Sequence, residues 1–544
     1  MSRQLTIVMA QMNPIVGDLR GNADRIIDLA RQAIADFQAD VVVFPEMCLT
    51  GYPPEDVLLR PGLYPQVQAA LDSLCAAHLP VALVVGYPMM DSLDERFNMA
   101  AWIENGQMKA AYMKQFLPNY GPFDEKRYFS PGDQACVVDY KGVRFGLLIC
   151  EDIWKPTAVA RTVEAGAEVL LNMNASPFHA EKHEDRLQVV RRRVAEFARP
   201  VIYVNQVGGQ DELVFDGSSF AMDAEGEVLV QAPAFESGLT PVRMLRQGGN
   251  VALLPGAHAP VPHDEERLYG ALVTGVRDFI DKNGITAGIV LGLSGGIDSA
   301  LTLAVAVDAL GPARCEAVMM PYHYTAQASI EDARLQAERL GVAFSTLPIE
   351  AGFKGMTQLL TPRLASVEGV TAENLQARLR GVALMAIANA TGKLVLATSN
   401  KSEIAVGYAT LYGDMIGGFA PLKDVLKTQV YALARWRNRE TEVIPQRVIE
   451  RPPSAELRPD QVDQDSLPDY AVLDRIIQGY VVEQKTPAQL VEAGLDPAAV
   501  RQAIRLINAH EYKRRQAPPG VRVTPRSFGR DRRYPITSRY EEPV

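Results

Sequence analysis

Cysteine is scarce in this chain of 544 residues. There are five, Cys48, Cys75, Cys136, Cys150 and Cys315, scattered and odd in number. With no CxxC pair and no Cys/His spacing, the sequence offers neither a disulfide framework nor a zinc site. Long apolar runs are missing too. None approaches the ~20 residues a membrane-spanning helix needs, and the opening Met1-Ser-Arg-Gln-Leu-Thr-Ile-Val-Met-Ala10 is too poor in apolar residues for a signal peptide. Positive charge is in deficit, 55 Lys and Arg against 65 Asp and Glu, for a net charge of −10. That balance argues against a nucleic-acid partner. Internal repeats and low-complexity tracts are absent. The expectation is a cytoplasmic enzyme of a reducing compartment, with neither membrane nor nucleic acid among its partners.

What is present suggests more than one core. The length points to two to four domains, and 47% hydrophobic with 22% charged residues is ordinary for a globular enzyme. Punctuation falls at 240–266, where Gln247-Gly-Gly-Asn250 and Pro255-Gly-Ala-His-Ala-Pro-Val-Pro262 interrupt regular elements; His263-Asp-Glu-Glu-Arg267 then opens a helix. Upstream, strands are expected at 40–44, 81–85, 144–149, 168–171 and 200–204, with amphipathic helices at 22–38 and 182–198. Downstream, strands are expected at 289–293, 315–320, 343–347 and 394–397. Strands alternating with helices over short connections imply an α/β, doubly wound architecture. Five prolines make 445–468 read as a mobile loop. The Arg- and Pro-rich tail 513–533 lacks periodicity, and reads either as a solvated arm or as one that contacts anions or bridges subunits.

The most informative stretch is Gly288-Ile-Val-Leu-Gly-Leu-Ser-Gly-Gly-Ile-Asp-Ser299. A buried strand, a sharp glycine turn and a helix N-terminus gather backbone N–H groups into a seat for phosphate. No Gly-Lys-Ser/Thr follows, so this is not the usual P-loop. It resembles the loop of the ATP pyrophosphatases, which implies a Rossmann-like parallel sheet. It also implies ATP contacts from Gly292, Leu293, Ser294, Gly295, Gly296, Ile297, Asp298 and Ser299.

Three further residues stand in distinctive neighbourhoods. Cys150 closes an apolar strand and precedes Glu151-Asp-Ile-Trp154; Glu46 follows a strand in Phe44-Pro-Glu-Met-Cys48; Lys114 lies in the loop-like Tyr112-Met-Lys-Gln-Phe116. A thiol needs a base to take its proton, and a tetrahedral intermediate needs a cation beside its oxyanion. Together with Asn174-Ala-Ser-Pro-Phe178, these residues resemble the nitrilase, or carbon–nitrogen hydrolase, family over nearly all of 1–235. The resemblance implies an αββα sandwich with Glu46, Lys114 and Cys150 catalytic and Glu125 beside the lysine. It further implies Tyr120, Ser176 and Lys182 against a substrate glutamine.

The second half carries Glu373-Asn-Leu-Gln-Ala-Arg-Leu-Arg-Gly381, Leu396-Ala-Thr-Ser-Asn-Lys-Ser-Glu403, Tyr412-Gly-Asp414, Pro421-Leu-Lys-Asp-Val-Leu-Lys427 and Glu511-Tyr-Lys513. With the 292–299 loop these motifs are similar to the NAD synthetases, in the form that joins a glutaminase ahead of the synthetase. The implied boundaries are a glutaminase at 1–246, a linker at 247–266 and a synthetase with its C-terminal arm at 267–544. The implied activity is ATP-dependent amidation of deamido-NAD. Thr398 and Lys427 would contact ATP, Asn374, Arg378, Glu403 and Lys513 the dinucleotide, and Asp298 and Glu403 Mg2+. Leu411 departs from ammonia-dependent synthetases, which place lysine there. The resemblance also implies a homo-oligomer, often an octamer, and the fusion suggests a sheltered ammonia tunnel. Two alternatives differ: an enzyme adenylating a purine or a tRNA base, and a scaffold with dead sites. The intact motifs disfavour both.

Overall fold

The computed structural model describes residues 3–247, 250–458, 461–465, 467–540 and 542. Gly248 and Gly249 of the expected linker, and Pro459 of the expected proline-rich loop, lie outside the described residues. The chain forms two compact units, Met1–His263 and Asp264–Val544.

The first unit holds strands β1 (Arg3–Gln11), β2 (Val41–Val43), β3 (Ala82–Met90), β4 (Arg96–Glu104), β5 (Gln107–Met113), β6 (Val137–Tyr140), β7 (Val143–Ile149), β8 (Val169–Asn174), β9 (Val201–Asn205), β10 (Val207–Gln210), β11 (Leu213–Asp216), β12 (Phe220–Met222), β13 (Val228–Gln231), β14 (Gly238–Gln247) and β15 (Asn250–Leu253). They build one sheet of order β15-β14-β1-β2-β3-β4-β5 and another of order β13-β12-β9-β8-β7-β6, with β10 and β11 as a separate hairpin. Side chains alternate across a strand, so Leu5, Ile7, Met9, Val41 and Val43 face Phe145, Leu147, Val169 and Leu171 between the sheets. Their neighbours Val8, Ala10 and Val42 face out, against helices α1 (Leu19–Phe37) and α2 (Leu63–Ala76). Helices α3 (Pro156–Glu164) and α4 (Lys182–Phe197) contribute Val159, Val190 and Val194 to the core that includes the second sheet. The result is the αββα sandwich. Both sheets mix parallel and antiparallel pairs; in the first, β3, β4 and β5 turn back on one another as a meander.

The second unit carries a four-stranded, all-parallel sheet of β16 (Ile289–Gly292), β17 (Cys315–Met319), β18 (Ala343–Thr346) and β19 (Leu394–Val395), in the order β18-β17-β16-β19. Helices α5 (Asp264–Lys282), α6 (Ile297–Leu310), α7 (Gln327–Leu340), α8 (Glu350–Leu360) and α9 (Val370–Thr391) accompany it. The chain leaves β16 towards β17 and later returns to its other side as β19. This makes β16 a topological switch point, where open parallel sheets leave a crevice at the strands' carboxyl ends.

Beyond α10 (Lys401–Val406) and α11 (Lys427–Arg437), two expectations are corrected. The stretch 445–468 is not loop throughout. Pro445, with φ preset for a helix start, leads into α12 (Gln446–Glu450), and Pro452 and Pro453 follow its end. Arg447 then grips Asp332 through Nε and Nη2, each 2.9 Å from a carboxylate oxygen. The tail 513–533 is likewise no solvated arm. Val521, Val523 and Phe528 are buried, and Asp424 Oδ2 accepts the N–H groups of Val523 and Thr524 at 2.9 and 2.8 Å. Apolar residues too sparse to show a period still anchor the tail.

Candidate active sites

In the first unit the positions that order the site are strand ends. Pro45 and Glu46 follow β2, Lys114 follows β5 and Cys150 follows β7. Gly86 in β3 lets the 45–47 turn approach, since a Cβ there would lie 2.3 Å from Met47 N. Cys150 itself sits at φ 46°, a left-handed conformation that non-glycine residues adopt rarely and often at functional sites.

Lys114, Glu46 and Glu125 form a buried trio. The Lys114 ammonium donates to Glu46 Oε1 at 2.6 Å and to both oxygens of Glu125 at 2.8 Å. Asn98 donates to Glu46 Oε1 at 2.8 Å, the Ala175 N–H to Glu46 Oε2 at 3.0 Å, and Tyr52 Oη to Glu125 Oε1 at 2.8 Å. Burial pulls the Lys114 pKa down, but Glu125 and Glu46 outweigh it and hold the ammonium charged. Two carboxylates share that single cation, so burial pushes Glu125 up to about 7 against the pull of Lys114. The Cys150 thiol is held well above its ordinary range by burial and by the Glu46 charge, with Lys114 opposing. It rests as a thiol and needs a base.

The residues expected around glutamine gather at the same turn. Tyr120 Oη donates to Glu151 Oε2 at 2.8 Å, the Lys182 ammonium lies 4.2 Å from the Trp154 ring centroid, and Ser176 is buried just past β8. Burial, with the neighbouring Arg186 charge, lowers Lys182 to about 8. Sequence reasoning missed Asn98, Tyr52 and the buried pair Arg186–Asp216, whose nitrogen and oxygen lie 2.8 Å apart. Arg186 also donates to Ser176 Oγ at 3.1 Å and to Ser176 O at 2.7 Å. An arginine on the buried face of α4 was the one available signal.

In the second unit a cavity of ≈ 270 Å³ opens at the carboxyl ends of β16 and β19. Gly292, Leu293, Ser294, Gly295, Gly296, Ile297, Asp298 and Ser299 line it, with Thr398, Glu403 and Lys427. Gly295 has φ +80°, and a Cβ there would lie 2.3 Å from Ser329 O, so only glycine fits the turn. The Lys427 ammonium donates to Asp298 Oδ2 at 2.6 Å and Glu403 Oε1 at 3.0 Å. Asn400, not anticipated from the sequence, caps α10 and donates to Asp298 Oδ1 at 2.7 Å. Burial pushes Glu403 up to about 8, opposed by Lys427.

Asn374, Arg378 and Lys513 converge on 407–411 instead. Thr410 Oγ1 donates to Asn374 Oδ1 at 2.8 Å and Arg378 Nε to Leu411 O at 3.1 Å; Lys513 Nζ reaches Gly407 O at 2.7 Å and Ala409 O at 2.8 Å. The Pro-rich stretch supplies Arg451, Pro452, Pro453 and Glu456 to the cavity wall, and Ser329 Oγ donates to Glu456 Oε1 at 2.8 Å.

Fold and sites together define an amide hydrolase joined to an ATP-using, amide-forming enzyme. The carbon-nitrogen hydrolase family matches residues 6–247, and the NAD synthase family residues 268–517. The glutamine-dependent NAD(+) synthetase of Acinetobacter baylyi is 46% identical over 540 residues, covering 98% of this chain and 99% of its own. That of Thermotoga maritima is 41% identical over 579 residues, covering 100% of each. A solved glutamine-dependent NAD+ synthetase from Acinetobacter baumannii, in complex with adenosine diphosphate, matches at a TM-score of 0.80 and 43% identity over 100% of both chains. The chain belongs to the glutamine-dependent NAD(+) synthetase family.

Proposed function

We propose that this enzyme makes NAD from deamido-NAD, ATP and L-glutamine, releasing AMP, pyrophosphate and glutamate. Glu46 accepts the Cys150 proton as the sulfur attacks the glutamine amide carbon, and Lys114 holds the developing oxyanion. Ammonia leaves with that proton, and water, deprotonated by Glu46, cleaves the thioester to free glutamate. Glu125 keeps Lys114 charged and in place, while Tyr120, Ser176 and Lys182 orient glutamine.

In the second unit the nicotinate carboxylate attacks the α-phosphorus of ATP and pyrophosphate departs. Ammonia then attacks the acyl adenylate and AMP leaves. The 292–299 loop and Thr398 seat the phosphates, and Lys427 supplies positive charge to them. Asn374, Arg378 and Lys513 orient the dinucleotide. Asp298 and Glu403 fit Mg2+, because both are hard oxygen donors that already converge on one cation, the Lys427 ammonium. Among the described residues no third His, Cys, Asp or Glu joins such a cluster, so the remaining ligands would be phosphate oxygens and water. When bound, the ion would neutralise phosphate charge.

The boundaries 1–246, 247–266 and 267–544, a cytoplasmic setting and a homo-oligomer belong to the same reading. The observation that carries the reading is the buried Lys114–Glu46 contact, whose charges act on the Cys150 thiol, within a chain matched end to end by this family. The test is a single incubation with glutamine, ATP and deamido-NAD. Glutamate, AMP and NAD should appear together; glutamate without NAD would reduce the protein to a glutaminase.

A further inference from the structure

We infer that Asp152 is a positioning residue for the glutaminase centre, setting the Cys150 turn against the Lys114 segment. The inference rests on the glutaminase reading above. Asp152 is fully buried, and its carboxylate draws donors from both sides of the centre. Oδ1 accepts the N–H groups of Gln115 and Phe116, the two residues after Lys114, at 3.1 and 2.9 Å. Oδ2 accepts the N–H of Ile149, the residue before Cys150, at 3.0 Å, and Tyr112 Oη from β5 at 2.8 Å. Four donors therefore meet one carboxylate. This arrangement is specific to a carboxylate. An amide has one acceptor oxygen, so whichever way it is turned its NH2 group points at backbone N–H donors.

The geometry ties the nucleophile to the oxyanion cation. Cys150 holds a left-handed conformation that must be imposed from outside, and Asp152 anchors the peptide that leads into it. The same side chain anchors the peptides that leave Lys114. Loosening either anchor moves sulfur relative to ammonium without touching glutamine.

The test is Asp152→Asn in the full chain. The turnover number for glutamine hydrolysis should fall about 10²-fold, the size expected for a displacement of about 1 Å. The KM for glutamine should stay within about threefold, as for a group that acts on the reacting geometry rather than on binding. The ratio of glutamine-driven to ammonium-driven NAD formation should fall with the turnover number, while the melting temperature should drop by only a few degrees, the cost of the donors left unpaired. A turnover number within about threefold of the parent overturns the inference. A proportional loss of both activities with a lowered melting temperature also overturns it, since that marks a residue of general stability. Tyr112→Phe removes one of the four donors and keeps the carboxylate. If Asp152→Asn does not fold, a several-fold lower turnover number in Tyr112→Phe at unchanged KM supports the inference, and parental turnover overturns it. If the parent itself releases no glutamate from glutamine, the glutaminase reading has failed instead.

Discussion

The Lys114 ammonium lies 2.6 Å from Glu46 Oε1, with both side chains closed to solvent. In the proposed mechanism these are the base and the oxyanion cation, and Asn98, the Ala175 N–H and Glu125 hold them together. A preassembled pair needs no reorganisation in the transition state.

Lys114→Met should therefore cost both catalysis and stability. Glutamine hydrolysis should fall by about 10²- to 10³-fold, the usual cost of an oxyanion donor. Two buried carboxylates would also face each other unpaired, which should lower unfolding stability by about 3–5 kcal/mol. Urea unfolding at neutral pH checks the second figure; stability equal to the parent would contradict the charge arrangement.

Glutamine use should decline in alkali. Lys182 is lowered to about 8 by burial and by Arg186, so it is charged below that pH and loses its charge as pH rises through it. If it holds an anionic group of glutamine, kcat/KM for glutamate release falls above about pH 8. Lys182→Arg stays charged and should push this limb upward. An unchanged limb would remove Lys182 from the binding step.

Arg186 and Asp216 form a buried pair beneath Ser176. Arg186→Met or Asp216→Leu alone should cost about 3–5 kcal/mol, while the double replacement should recover most of it. Chemical denaturation of the three variants decides, and additive losses would contradict the pairing.

Lys427 neutralises Asp298 and Glu403 in the cavity of the second unit. Lys427→Met should lower the melting temperature and abolish pyrophosphate release. Added Mg2+ should raise the variant's melting temperature more than the parent's, because the ion can fill the charge vacancy. An equal response in both would argue against Asp298 and Glu403 as the ion's ligands.

Much of this was legible because it is local in sequence. Strand, glycine turn and helix follow one another at 288–310, so the β16 loop could be read directly, and apolar runs marked β7, β8 and β9. Other features depend on contacts between distant residues. Asn98 reaches Glu46 across 52 positions, and Arg186 reaches Asp216 across 30; no spacing announces either. The β4–β5 hairpin carried a signal in Asn105-Gly106, yet the apolar residues around it fit helix as well as strand. The solvated-arm reading of the tail failed because Val521, Arg522, Val523 and Thr524 are buried in a row. Composition alone assigns Arg522 and Thr524 to the surface.

The central claim is a division of labour between two sites, and Cys150→Ala tests it most directly. NAD formation by the variant should be lost with glutamine as nitrogen donor and retained with ammonium, at about the parental ammonium-driven rate. Loss with both donors, or persistence with glutamine, would contradict the account.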